Sequence, residues 1–136
     1  MSVLVLATVV IYTWVCALSA SWEARTEVIY GTAGSKLGAS VAMSGDGSRL
    51  VVGAPTSDVE YSDGGKMAVY EWGSDWTEQG NITSCDGGAS AQFGTAVAIN
   101  YYGTVAAASG IFNGGFVCVY QYNATDASWS ARGSAL

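Results

Sequence analysis

Carboxylates are the main side chains that could do chemistry in this 136-residue chain, which contains no histidine. Without an imidazole, Ser-His and Cys-His nucleophile pairs and imidazole zinc sites are excluded. Loop carboxylates are predicted at Asp58, Glu60, Asp63, Asp75 and Asp86. Two carboxylates at a suitable separation can hydrolyse glycosides, and three can hold a hard cation. The close group at 58–63 is most simply interpreted as a solvated loop.

The three cysteines, Cys16, Cys85 and Cys118, form an odd set without the spacing of a metal site. Cys118 alternates with Val117 and Val119, which predicts a small buried hydrophobic side chain rather than a reactive thiol. Cys16 and Cys85 adjoin predicted turns and could pair with each other or with a cysteine outside this sequence. At least one cysteine is therefore expected to be unpaired within the chain.

The charge balance restricts the classes of partner. The chain has a net charge of −6, and its five basic residues are scattered between Arg25 and Arg132. Nucleic acids and anionic membrane surfaces are bound through clustered Lys and Arg, so we expect neither as a partner. Direct membrane insertion by this segment is not expected either. Two N-x-Thr sequons, at Asn81 and Asn123, adjoin predicted loops where a glycan could be attached. These sequons predict an extracellular or cell-surface location.

An internal repeat organises the elements that must position these side chains. Three segments recur: 37–42 as 93–98, 47–53 as 103–109, and 64–72 as 114–122. The first two pairs are 56 residues apart, whereas the third is 50 apart because a loop is six residues shorter. A period of this size indicates stacked supersecondary units.

Each unit is predicted to form four short strands. The chain is 50% hydrophobic and 12% charged, and its alternating apolar residues and glycine clusters favour an all-β fold. For the middle unit we predict strands at 37–43, 49–54, 66–72 and 76–82. Four antiparallel strands in about fifty residues are typical of a β-propeller blade. The prediction for 1–136 is one partial propeller domain of about two and a half blades.

The N-terminal region has two interpretations. Residues 3–18 are apolar, as in a signal peptide, but no basic residue precedes Arg25 and the run is short for a membrane span. Two of its segments recur near the C-terminus: 10–14 as 118–122, and 21–25 as 128–132. This recurrence favours residues 8–29 as the back half of a blade, followed by full blades at 30–82 and 83–136. A signal peptide ending near Ala20 is the alternative.

The repeat resembles the FG-GAP repeat of integrin α subunits and related surface proteins, from about residue 8 to the end. The resemblance rests on hydrophobe-Gly starts and a Gly-Ala-Pro finish: Leu37, Gly38, Phe93, Gly94, Gly53, Ala54 and Pro55. A Gly-Gly-x-x-x-Val-Tyr third strand at 64–70 also fits, whereas residues 108–110 of the last unit depart from Gly-Ala-Pro. The kelch repeat, which also uses Gly-Gly and spaced Tyr and Trp, is the alternative.

The resemblance implies that the chain is a fragment of a seven-bladed propeller. It implies inter-blade packing by Leu37 and Phe93 at equivalent buried positions and by a recurring aromatic set: Tyr12, Tyr70, Tyr120, Trp22, Trp76 and Trp129. Many FG-GAP repeats bind calcium through a D-x-D-x-D-G loop between the first two strands. Only Asp46 remains in these loops, so we expect no cofactor and, at most, weak calcium binding.

The resemblance also implies that the loops at 56–64, 83–92 and 110–115 gather on one face and contact a ligand. Their exposed side chains are expected to include Asp58, Glu60, Tyr61, Asp63 and Phe112. This predicts a non-catalytic binding or scaffold module for a protein or carbohydrate ligand. The alternative is a propeller-type, carbohydrate-active enzyme domain that uses the loop carboxylates. An incomplete propeller leaves an open edge, so further blades or self-association are also expected.

Overall fold

The computed structural model describes Glu23 and residues 28–136. Within these residues there are eight strands and one 3-10 helix, Phe112–Gly114. The strands are β1 (Ser40–Met43), β2 (Arg49–Ala54), β3 (Lys66–Trp72), β4 (Trp76–Ile82), β5 (Ala96–Ile99), β6 (Val105–Gly110), β7 (Phe116–Asn123) and β8 (Ser128–Ala131). In this described part, no helix is long and apolar enough to cross a membrane. The half blade predicted at 8–29 lies outside it, apart from Glu23 and residues 28–29, which are in no strand.

The strands form two four-stranded antiparallel sheets, β1-β2-β3-β4 and β5-β6-β7-β8. The all-β prediction is therefore confirmed. The pairing register of the first sheet recurs in the second at the offsets seen in the sequence. Ser40 pairs with Gly53, which pairs with Met67; in the second sheet Ala96 pairs with Ser109, which pairs with Val117.

Three of the four strands predicted for the first sheet have the predicted bounds. The first strand begins at Ser40 rather than at residue 37, because Lys36 and Gly38 have positive φ values of 53° and 92°. A left-handed backbone cannot continue a strand, and glycine adopts it without steric cost. Gly94 has the same φ, 92°, before β5, so each sheet is entered through the same tight turn.

Phe93 lies at the centre of the interface between the two sheets. Its side chain is completely buried, and its ring centroid is 6.1 Å from that of Phe116 and 6.3 Å from that of Tyr120. The first sheet contributes Val51, Met67 and Val69 to this cluster. The two sheets thus share one apolar core, which supplies the main driving force for their association.

Leu37 is only half-buried, so the expectation of equal burial with Phe93 is wrong. Leu37 packs against a smaller cluster, Val52, Ala68 and Tyr70, on the other face of the first sheet. Phe93 has a sheet on both sides, whereas this cluster contains no residue of the second sheet. The recurring tyrosines are buried as predicted, with Tyr70 7% and Tyr120 6% exposed. Trp76 and Trp129 are half-buried at cluster margins, and Tyr12 and Trp22 lie outside the described residues.

Two side chains of the first sheet add polar contacts to the apolar core between the sheets. The guanidinium of Arg49 lies 3.7 Å from the centroid of the Tyr122 ring, and its Nη1 donates to the carbonyl of Gly103 at 2.8 Å. Ser40 Oγ donates to the carbonyl of Gly94 at 2.8 Å. A Cβ atom on Gly53 would lie 2.0 Å from that carbonyl oxygen, so the absence of a side chain at 53 permits the close approach.

Candidate binding surface

Three loops meet at one end of the two sheets and form what we call the loop surface: residues 56–64, 83–92 and 111–115. Backbone hydrogen bonds join the first two loops, from Ser90 N to Ser62 O at 2.8 Å and from Gln92 N to Asp63 O at 2.9 Å. The third loop is joined by Ile111 N, which donates to Ala91 O at 2.8 Å. The loops of neighbouring sheets therefore form one continuous, hydrogen-bonded surface.

The first loop presents Asp58, Glu60 and Tyr61 to solvent, and the Tyr61 side chain is 52% exposed. Asp63 is half-buried, so the expectation that its side chain is exposed is wrong. Asp58 Oδ1 accepts a hydrogen bond from the backbone N–H of Asp63 at 2.7 Å, and Gly64 N donates to Tyr61 O at 3.0 Å. These local bonds restrain the loop and reduce the entropy that an incoming ligand would have to remove.

Phe112 does not belong to the exposed set, contrary to expectation. Its side chain is half-buried and packs against the core cluster around Phe93. A Cβ atom on Gly88 would lie 3.7 Å from its ring, so Phe112 also supports the second loop. Burying its apolar ring against the core is more favourable than exposing the ring to water. Phe112 therefore supports the loop surface from below rather than contacting a ligand.

A disulfide joins Cys85 of the second loop to Cys118 of β7, across 33 residues. Cys85 therefore pairs with neither of the partners considered for it, Cys16 or an outside cysteine, and Cys118 is bonded in addition to being buried. Cys118 is buried, at 1% exposure, as its alternation with valines predicted. The alternation with valines predicted the burial of Cys118 but could not predict its disulfide, because the packing of the sheets brings Cys85 next to Cys118.

The loop surface is acidic, and its charge reaches the buried aromatic side chains beneath it. Thr83 Oγ1 donates to Glu60 Oε1 at 3.3 Å, and Tyr120 Oη donates to Thr83 O at 2.8 Å. Burial first, and the negative charge of Glu60 second, raise the pKa of Tyr120 to about 12. Tyr120 is therefore a neutral hydrogen-bond donor at physiological pH and holds the second loop in place.

The depression within the loop surface is small. It is lined by Glu60, Tyr61, Thr83 and the glycines at 87 and 88, among others, and its volume is about 10 Å³. That volume accommodates about one water molecule, whereas pockets for small-molecule substrates enclose several hundred Å³. The geometry suits contact with an extended or convex ligand better than enclosure of a reacting group.

The turn between β1 and β2, where at most weak calcium binding was expected, is closed by its own side chains. Asp46 Oδ1 accepts hydrogen bonds from Ser44 Oγ at 2.6 Å, Ser48 Oγ at 2.8 Å and Ser48 N at 3.0 Å. These bonds, that from Ser44 foremost, lower the pKa of Asp46 to about 2. Among the described residues, no three Asp, Glu, Cys or His side chains are grouped to hold a metal ion.

Both sequon asparagines are exposed. Asn81 lies in β4, where its Oδ1 accepts from Lys66 Nζ at 2.7 Å and its Nδ2 donates to Glu78. Asn123 ends β7, and its Oδ1 accepts from Thr125 N at 3.0 Å. Each amide is therefore accessible, while its side chain also has local partners.

Three residues that hold the sheets and loops together were not predicted from the sequence: Arg49, Ser40 and Thr83. Arg49 carried a usable signal, because it is a charged residue at the start of an apolar strand, where the repeat has Val105. Ser40 and Thr83 carried no such signal. The partner of Ser40 lies 54 residues away, and the two partners of Thr83 lie 23 and 37 residues away.

In comparisons with protein-family models and with curated proteins, nothing matches this chain.

Proposed function

We propose that this chain is a non-catalytic binding module whose ligand contacts the loop surface. The observation that carries this proposal is the joining of the three loops by backbone hydrogen bonds, with the second loop also tied to β7 by the Cys85–Cys118 disulfide. A surface restrained in this way presents Asp58, Glu60 and Tyr61 at low entropic cost. The small volume of its depression supports recognition rather than catalysis.

The ligand is proposed to be a protein segment or a carbohydrate. Exposed tyrosine offers a rigid ring with a hydroxyl group, which suits contact with either class. Glu60 and Asp58 can accept hydrogen bonds from sugar hydroxyls or pair with basic side chains of a protein. The net charge of −6 favours neutral or basic ligands over acidic ones.

The proposed setting is an extracellular or cell-surface glycoprotein. Disulfides persist in oxidising compartments, and the structure contains one between Cys85 and Cys118. The exposed sequon asparagines, Asn81 and Asn123, are consistent with the same compartment. The recurring register and the shared Phe93 core support two adjacent blades of an FG-GAP-like propeller, to which further blades or copies would add.

The test is binding of the full chain to arrays of neutral oligosaccharides and of basic and neutral peptides. Tyr61→Ala and Glu60→Gln should each weaken binding to any positive spot by about tenfold or more, as for central interface residues. Tyr102→Ala is the matched control, because Tyr102 is 73% exposed in the β5–β6 turn at the opposite end of the sheet.

Equal loss of binding in the Tyr102 variant would place the ligand elsewhere. Hydrolysis of an arrayed oligosaccharide, abolished by Glu60→Gln, would replace the proposal with the carbohydrate-active alternative. Binding that survives both Tyr61→Ala and Glu60→Gln would remove the loop surface from the function.

A further inference from the structure

The second sheet has an apolar face that points away from the first sheet. We call it the outer face and define it by Ala96, Ala98, Ala107, Ser109 and Val117, which pair across β5, β6 and β7. A shallow groove of about 200 Å³ runs over these residues, and Val117 is 37% exposed. None of these side chains carries a charge, so nothing in the face itself compensates for its exposure to water.

The equivalent face of the first sheet is covered by the second sheet. The element that covers it indicates which kind of structure the outer face could bind. At equivalent positions the first sheet has Ser40, Val51, Gly53 and Met67, and the turn bearing Phe93 and Gly94 lies on them. The Phe93 ring contacts the apolar cluster that includes Val51 and Met67, and the Gly94 carbonyl accepts from Ser40. This face is therefore a receptor for a hydrophobe-Gly turn.

The chain also carries a second, less buried hydrophobe-Gly turn. Leu37-Gly38 is the repeat equivalent of Phe93-Gly94, and the two glycines share a φ of 92°. Leu37 is half-buried, whereas Phe93 is completely buried. Beside it, Val41 and Met43 of β1 are 62% and 55% exposed. The interface between the two sheets has two halves, a receiving face and a hydrophobe-Gly turn. The chain carries a second copy of each half, the outer face and the Leu37-Gly38 turn, and both are partly exposed.

We propose that a second copy of this chain docks head to tail, with its Leu37-Gly38 turn on the outer face. The proposal rests on the self-association included in the proposed function and names the surfaces that would carry it. Such an interface is heterologous, because it uses different patches on the two copies, and it therefore forms rings or open chains rather than a two-fold dimer.

The outer face differs from the equivalent face of the first sheet at three positions. These differences make the proposed contact between two copies weaker than the contact between the two sheets of one chain. Ser109 stands where the receptor has Gly53, and a Cβ at position 53 would lie 2.0 Å from the oxygen of the docked glycine. Ala96 replaces Ser40 and so lacks the hydroxyl that donates to that oxygen. Val105 stands where the first sheet has Arg49, so the outer face lacks a counterpart of the cation that contacts Tyr122 and Gly103 in the internal interface. All three replacements therefore lower the affinity of the contact.

The experiment is sedimentation velocity on the full chain over a concentration series, at low and high salt. The wild type should associate weakly and more strongly at high salt, because salt screens repulsion between copies of charge −6. Ser109→Gly should strengthen association by about tenfold or more, and Ala96→Ser should strengthen it further. Ser109→Ala is the matched control: it keeps the obstructing Cβ and should leave association unchanged.

Leu37→Ala on one half, and Val117→Lys or Ala98→Lys on the other, should each abolish association. Circular dichroism establishes whether each variant is folded. If Val117→Lys does not fold, Ala98→Lys replaces it in the test, because Ala98 is exposed. A chain that stays monomeric even as Ser109→Gly/Ala96→Ser overturns the proposal. So does association that is indifferent to the lysine variants. Neither result depends on ligand binding by Tyr61, so the loop-surface proposal stands or fails separately.

Discussion

Removing the Cys85–Cys118 disulfide should lower the stability of the fold substantially. The bond closes a loop of 33 residues, for which the chain-entropy model gives about 3.7 kcal/mol at 25 °C. For a 136-residue chain this corresponds to a decrease in Tm on the order of 13 °C. The native contacts should survive, because Tyr120 Oη still donates to Thr83 O beside the former bond.

The assay is thermal unfolding of Cys85→Ala followed by circular dichroism. Cys16→Ser is introduced in both the reference and the variant, so that no alternative disulfide forms. Reducing the reference with a thiol should reproduce the shift in Tm, and the same treatment should leave Cys85→Ala unchanged. The reasoning is refuted if the Tm values of the oxidised reference and the variant agree within about 3 °C, since one kcal/mol shifts Tm by that order. Mass spectrometry that finds Cys85 and Cys118 as free thiols would refute it as well.

Gly53→Ala should destabilise the chain by about 1–3 kcal/mol in urea unfolding, because its Cβ would meet the Gly94 carbonyl and separate the sheets. Arg49→Met should cost about 1–3 kcal/mol, since the buried Gly103 carbonyl loses its donor and the Glu71 carboxylate loses its cationic partner. Asp46 has a pKa lowered from 3.8 to about 2, so its contribution is present above pH 3.8 and lost as the pH falls through 2; Asp46→Asn should flatten the acid limb of a Tm profile. Tyr120 has a pKa raised from 10.0 to about 12, so its contribution is present below pH 10 and lost as the pH rises through 12; Tyr120→Phe should remove that alkaline loss.

The strands and their turns could be predicted from the sequence because they depend on local chemistry. The glycines of the β1–β2 turn and Pro55 mark strand ends, and the continuous apolar run at 67–70 of β3 marks a strand that is buried on both faces. The offset of 56 residues also predicted that two sheets would share one pairing register. Local backbone preference and repetition determine all of these features.

The tertiary structure alone decided which residues meet across the two sheets. Spacing could not identify the bond between Cys85 and Cys118, because cysteine pairing depends on where the packed sheets place each side chain. The same packing turns Phe112 toward the core and brings Arg49 over Tyr122. These contacts join residues far apart in the chain, and a one-dimensional pattern carries burial but not the identity of the partner.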